Sequence, residues 1–385
     1  MAVKGTVPVI VTAALLATLA CAAVARAAEP IRIGAIFSVT GPASFLGEPE
    51  KNTAKMLEED INKSGGLLGR KVEIIVYDDE TDATKAVTAY DRLIKKDKVV
   101  AVVGPSTSGA TLAIVPKAEA AQIPLVSAAA AKKIVVPVKH WVFKTPQSDE
   151  LAVKAIFKHA KKAGVKNIAI ITASDAFGAA GREELKLLAP GAGFTIVADE
   201  VFGPKDTDMT AQLTKIKGTN AQAIICWGTN PGPAVIARNR VQLGIKIPLY
   251  NSHGVASKKF IELAGAANAE GVLLPAGRLI VEDQVAKNHP QKKVLSGYIK
   301  EYQAKYKQPV STFGGHAWDA VMLVAQAIRD GKSAEPAAIR ASLEKIRHFQ
   351  GTAGEFNFSD KEHNGLTEDA FVMVQIRKGD WEMLK

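Results

Sequence analysis

Short apolar runs rich in β-branched residues recur along the chain at residues 31–37, 72–77, 99–103, 125–127, 168–172 and 223–227. Runs apolar on both faces suit strands buried in a parallel sheet with helices covering either side. Between them, apolar residues return near a 3.6 period with charges opposite: Ala54, Leu57 and Ile61; Val87, Tyr90, Leu93 and Ile94; Leu151, Ala155 and Ile156. Those stripes predict amphipathic helices, and the alternation predicts repeated βαβ units.

Repeats of this kind either close into an eight-fold barrel or remain open as doubly wound sheets. Several strand signals precede Pro146, a long amphipathic helix opens at Ser148, and the pattern restarts at Lys166-Asn167-Ile168. The expected fold is therefore α/β with two doubly wound, Rossmann-like lobes. Turn-rich segments at Lys144-Thr145-Pro146 and Pro275-Ala276-Gly277 are the expected crossings between lobes. The tail adds predicted helices at 317–329 and 337–346 and a strand at 370–376.

The first 27 residues read as a secretory leader. Lys4 supplies the charged start, residues 7–24 are apolar, and Ala25-Arg26-Ala27 offers the small residues of a cleavage site. Two other readings are an uncleaved anchor over residues 7–25 and lipidation at Cys21, although the position three before Cys21 is Thr18 where leucine is expected. Beyond residue 27 no apolar run reaches the ~18 residues of a spanning helix, so a soluble, periplasmic, monomeric mature protein is expected.

Composition narrows the function. With 47% hydrophobic and 23% charged residues, the 385-residue chain is globular and not disordered or collagenous. Its net charge is +10, and loss of Lys4 and Arg26 with the leader lowers this to +8. That excess favours anionic ligands or an acidic surface. The lysines are scattered and not gathered into an aromatic-interleaved stripe, so nucleic acid is not expected. Cys226 alone remains after processing, which leaves no intramolecular disulfide and no multi-cysteine metal site.

Signatures of catalysis are missing: the chain has no GxxxxGK[ST], HExxH, CxxC or GxSxG. Adjacent Asp78 and Asp79 follow a strand and read as a loop or capping pair. His316 and Asp319 lie three apart and could share a helix face, yet no activated nucleophile accompanies them. No enzyme, cofactor or metal is expected.

The segment Val102-Val103-Gly104-Pro105-Ser106-Thr107-Ser108-Gly109 is the most informative. A buried strand ends at Gly104, a hydroxyl-rich turn follows, and a helix starts near Ser108. Free N–H groups at such a helix start form an anion site, to which Ser106, Thr107 and Ser108 add hydroxyls. Ordinary helix capping explains the same residues without a ligand. A second loop, Pro124-Leu125-Val126-Ser127 followed by four alanines at 128–131, lies at an equivalent place, and carboxyl ends of adjacent strands are where open α/β sheets bind ligands.

These segments together with Ile31-Arg32-Ile33-Gly34, Thr40-Gly41-Pro42, residues 62–70 (NKSGGLLGR), Tyr77-Asp78-Asp79 and residues 313–319 (FGGHAWD) resemble the periplasmic substrate-binding proteins of hydrophobic and branched-chain amino acid ABC transporters. The resemblance covers residues 28–385 and implies a type I periplasmic binding fold. Its lobes would be joined by three crossovers: lobe one 28–146 plus 278–367, lobe two 147–277 plus 368–385. It further implies a membrane permease and cytoplasmic ATPase subunits as partners.

For the site, the resemblance places the ligand carboxylate at Ser108. The loop positions Ala129 and Ala131 would supply backbone groups, although the family's threonine hydroxyl is missing there. Phe177 matches an aromatic of lobe two, Asn230 stands where tyrosine is usual, and His253 stands where an acid receives an amino acid's ammonium. Phe313 matches an apolar wall residue, and Phe45 or Leu46 closes over the side chain. The changes at Asn230 and His253 make a carboxylate without an ammonium the expected ligand. An aromatic acid of the benzoate or phenylpyruvate type would be held by Phe45, Phe177, Trp227 and Phe313. The alternatives are an aliphatic branched-chain amino acid, with His253 solvated and Asp175 receiving the ammonium, and a ligand sensor built on the same fold.

Overall fold

The computed structural model describes residues 29–384 together with residues 1–3 and 5. The leader's apolar stretch, its cleavage site and Cys21 lie outside the described residues. Strand β1 (Ile31–Phe37) is followed by α1 (Ser44–Lys63), β2 (Val72–Asp78), α2 (Ala83–Arg92), β3 (Ala101–Val103), α3 (Ser108–Ala121), β4 (Leu125–Ser127) and β5 (Val142–Lys144). The five strands form one parallel sheet in the order β2-β1-β3-β4-β5.

A second set begins with α4 (Asp149–Lys162) and runs through β6 (Asn167–Ala173), α5 (Ala176–Ala192), β7 (Thr195–Phe202), α6 (Thr210–Lys217) and β8 (Ala223–Trp227). It continues through α7 (Gly232–Gln242), β9 (Leu249–Asn251), α8 (Lys258–Ala264), α9 (Ala266–Ala269) and β10 (Leu273–Ala276). The chain then returns with α10 (Lys292–Tyr306), α11 (Thr312–Gly331), α12 (Pro336–Leu343) and a small ribbon of β11 (Phe349–Gln350) and β12 (Glu355–Phe356). It ends in β13 (Val372–Arg377) and β14 (Asp380–Met383). The second sheet has the order β14-β13-β10-β9-β8-β6-β7, with β13 antiparallel to both its neighbours.

Two-sided burial explains why the inner strands are apolar at every position. In the first sheet Ile33, Ala35 and Phe37 meet α1 and α11 through Leu57, Ala317, Val321 and Val324. Ile36, on the other face, meets Tyr90 of α2 and Ile114 of α3. The second sheet repeats the arrangement: Ala169 and Ile171 join Ile236 and Phe260 on one side, while Ile168 and Ile170 join Ile156 and Leu185 on the other. Two lobes of doubly wound α/β structure are present, as the periodicity predicts.

Several details differ from the sequence expectation. Strand β7 escaped the search for apolar runs because it is an edge strand, bonded only to β6 and half-buried along most of its length. Helix α11 starts at Thr312 and not at 317, capped by the Ser311 hydroxyl, which accepts from the Gly314 amide at 3.3 Å. Gly314 and Gly315 disguise that first turn, and both are required by close packing. A Cβ on Gly314 would lie 2.4 Å from Tyr298 Oη, and one on Gly315 2.6 Å from Thr352 Oγ1. The strand expected from 370 begins at Val372, because Glu368–Ala370 form a 3-10 turn.

The segments that run between the sheets are tied to one another by side chains. Gln147 Nε2 donates to the carbonyls of Ala353 (2.9 Å) and Ala370 (3.2 Å). Asn364 Nδ2 donates to Pro146 O at 2.9 Å, and the Ser148 hydroxyl donates to Asn364 Oδ1 at 3.0 Å.

Candidate ligand-binding cleft

The carboxyl ends of both sheets face a cavity of about 380 Å³. On the first sheet, the turn after β3 depends on Gly104. Its φ is +85°, and a Cβ there would sit 2.1 Å from Ile36 O, so a side chain is excluded both by conformation and by space. The turn delivers Thr107 as the cap of α3, its hydroxyl accepting from the Ala110 amide at 3.4 Å. The amides of Ser108 and Gly109 then have no partner within the helix and sit at its positive end.

Ser108 Oγ accepts from the Ala131 amide at 3.3 Å, which leaves its hydroxyl hydrogen free to donate. Ser127 Oγ accepts from the Ala129 amide at 3.0 Å and pairs with Thr111 Oγ1 at 2.9 Å. These two bonds draw the alanine loop against α3, which small side chains permit. Ser106 lines the cavity, but its hydroxyl is engaged below the surface: it donates to buried Glu50 and accepts from the Ser38 amide at 2.9 Å. Burial raises the Glu50 carboxyl well above the usual carboxylate range.

The second sheet presents the wall across the cleft. Phe177 stands on the first turn of α5, Phe202 ends β7, Thr229 and Asn230 follow β8, and His253 and Gly254 follow β9. A Cβ on Gly254 would meet the Phe177 ring at 2.6 Å and Gly228 O at 2.8 Å, so backbone and ring are in direct contact there. His253 is 5% exposed and is surrounded edge-on by the rings of Phe371, Phe177 and Trp227 at centroid distances of 5.4, 5.5 and 5.9 Å. No well-formed hydrogen bond reaches either ring nitrogen, although the Gln147 backbone lies close enough to favour the charged ring; both amide atoms of buried Asn230 are unpartnered. Burial, followed by the nearby Lys144 charge, lowers the His253 pKa to about 3. His316, beside Phe313 at the start of α11, is lowered to about 3 by burial and then by His253 and Lys144. Both imidazoles are thus neutral near pH 7.

Of the residues singled out from sequence, Ser106, Thr107, Ser108, Ala129, Leu46, Phe177, Asn230, His253 and Phe313 all line this cavity. Two do not. Ala131 is fully buried behind the loop, its amide committed to Ser108. Phe45 packs edge-on against Phe313 with centroids 5.5 Å apart and reaches the cavity only through that ring. Trp227, expected as part of an aromatic clamp, is fully buried behind Phe177. His253 is likewise not a solvated loop residue. Phe202, Thr229, Lys205 and His316 line the cavity without having been anticipated as site residues. Phe202 was missed with its edge strand, and the approach of His316 depends on contacts far apart in sequence.

The acidic pairs have structural roles. Asp78 accepts from Thr40 and the Glu80 amide, while buried Asp79 accepts from Ser38 and the Thr81 amide. Asp319 accepts from the amides of Thr352 (2.6 Å) and Ala353 (2.9 Å) and does not pair with His316. Among the described residues, no cluster of His, Cys, Asp or Glu has the arrangement of a metal site. No helix among them is long and apolar enough to cross a membrane.

Comparison with known proteins gives a consistent picture. A family model described as "Periplasmic binding protein" matches residues 30–380. The "Leucine-, isoleucine-, valine-, threonine-, and alanine-binding protein" of Pseudomonas aeruginosa is 27% identical over 342 residues, 88% of either chain. An extracellular ligand-binding receptor from Rhodopseudomonas palustris superimposes with a TM-score of 0.87 at 30% identity, covering 92% of this chain and all of that one. The branched-chain amino acid transporter substrate-binding protein LivJ from Streptococcus pneumoniae, in complex with isoleucine, gives 0.81 at 27% identity, covering 93% of this chain and all of that one. The names of the two relatives whose ligands are stated speak of aliphatic amino acids, and they lend no support to the aromatic acid expected from the sequence.

Proposed function

The chain belongs to the periplasmic binding protein family, of the branched-chain amino acid type, and we propose that it is the extracytoplasmic solute-binding component of an ABC importer. In this reading the two lobes, residues 28–146 with 278–367 and 147–277 with 368–385, close on a small carboxylate and present it to a membrane permease driven by ATPase subunits. Ligand contacts from both walls favour the closed arrangement, since a ligand shifts such an equilibrium only by its differential affinity for the two states. Capture needs no cofactor and no catalytic residue, and the place of action is the periplasm.

One observation carries the reading: a free hydroxyl and two free amides at the start of α3 face an apolar enclosure built by both lobes. The carboxylate would lie at Ser108, with Thr107 and Gly109 beside it and the backbone of Ser106 and Ala129 flanking. Leu46, Phe177, Phe202 and Phe313 would enclose the ligand's body. A branched aliphatic body is favoured over an aromatic ring, because only part of the expected aromatic clamp reaches the cavity and because of what the named relatives bind. A sensor built on the same fold finds no specific support.

Thermal-shift measurements with leucine, isoleucine, valine, their 2-oxo counterparts, benzoate and phenylpyruvate test the reading. A true ligand at 100 times its dissociation constant adds about 2.7 kcal/mol of stability. Stabilisation by none of these carboxylates refutes the proposal, and stabilisation by the ring compounds alone restores the aromatic body.

A further inference from the structure

We propose that the cavity wall facing Ser108 is built for an uncharged oxygen substituent, so that the ligand class is the 2-oxo or 2-hydroxy acid and not the 2-amino acid. This rests on the reading of the cavity as a carboxylate-binding cleft and specifies what the second pole of that cleft recognises. The side chains that would meet a substituent at the 2-position are Asn230 and His253, 4% and 5% exposed; neither amide atom of Asn230 has a protein partner, and the imidazole has only the nearby Gln147 backbone. Buried polar groups are as a rule paired with protein or ordered water, and at a cavity wall a ligand can supply the partner.

The kind of partner follows from the donors and acceptors available. A neutral imidazole offers one donor and one acceptor, and an amide offers two donors and one acceptor oxygen. Neither side chain carries a charge, which matches a ketone oxygen that accepts or a hydroxyl that does both. An ammonium has three donors, no acceptor and a charge that needs pairing once it leaves water. Among the described residues the one carboxylate lining the cavity is Asp175, which is exposed and already accepts from the Gly178 amide at 2.7 Å as the cap of α5.

Isothermal titration of the purified protein at pH 7 with 4-methyl-2-oxopentanoate, 2-hydroxy-4-methylpentanoate and leucine decides the matter, because the three share one aliphatic body and one carboxylate. The oxo and hydroxy acids are expected to bind at least tenfold tighter than leucine. Leucine binding as tightly as either overturns the proposal while leaving the carboxylate cleft intact. Absence of binding by all three, and by every other carboxylate tried, overturns the cleft itself. Asn230→Asp supplies the missing charge and is expected to move the ratio at least tenfold toward leucine; an unchanged ratio in a variant that melts cooperatively counts against the assignment. If that variant does not fold, Asn230→Ser serves instead and is expected to weaken the oxo acid while leaving leucine nearly unaffected. Equal weakening of both contradicts the proposal.

Discussion

Replacing Ser108 by alanine removes one oxygen that acts in two places, and the two effects can be measured separately. The first is on stability. Ser108 Oγ is the acceptor for the Ala131 amide, and Ala131 is fully buried. Leaving a buried donor unpaired costs about 1–3 kcal/mol, to be seen as a lower urea midpoint in the ligand-free protein. The second is on binding. The hydroxyl hydrogen left free by that arrangement would donate to the ligand carboxylate, a charge-assisted bond of about 1.5–3 kcal/mol. At about 1.4 kcal/mol per decade, affinity should fall roughly tenfold to 150-fold. The titration is run at a temperature where the variant remains folded, with the tightest-binding carboxylate of the wild type as probe, so that lost stability does not pass for lost affinity. Affinity within twofold of wild type, whatever happens to stability, would show that the start of α3 is an ordinary capped helix and not the anion cradle.

Two further expectations follow from burial. Gly181 lies under the indole of Trp227, where a Cβ would be 2.2 Å from Nε1; Gly181→Ala should lose about 1–3 kcal/mol by overpacking, and an unaltered urea midpoint refutes the packing argument. For His253, whose pKa falls from 6.5 when unfolded to about 3 when folded, the unfolded chain binds the extra proton. Stability is therefore complete above pH 6.5 and is lost as pH falls toward 3. Between pH 7 and pH 5 the wild type should lose about 2 kcal/mol more than His253→Gln, at 1.36 kcal/mol for each pH unit below 6.5; parallel stability curves would contradict the neutral, desolvated imidazole.

The elements most legible in the sequence are those whose signal is local. Strands β1, β4, β6 and β8 lie where apolar runs predict them because each is covered on both faces, a property of every residue in the strand. The hydroxyl turn before α3 could be recognised because capping needs particular residues at adjacent positions. Edge strand β7 and the glycine-masked start of α11 were hidden because their environment comes from partners elsewhere in the chain.

The sequence by itself therefore determined the alternation of elements, the two lobes and the place of the hydroxyl-capped start of α3, all of which follow from periodicity and short-range hydrogen bonding. Only the tertiary structure decided which atoms remain free to meet a ligand. Packing engages the Ser106 hydroxyl with Glu50, hides Ala131 and Trp227, turns Phe45 onto Phe313, and leaves Asn230 on the cavity wall without a partner. Those choices depend on close packing between segments up to hundreds of residues apart, where a shift of an ångström exchanges a paired polar atom for a free one, and no local pattern encodes distances of that kind.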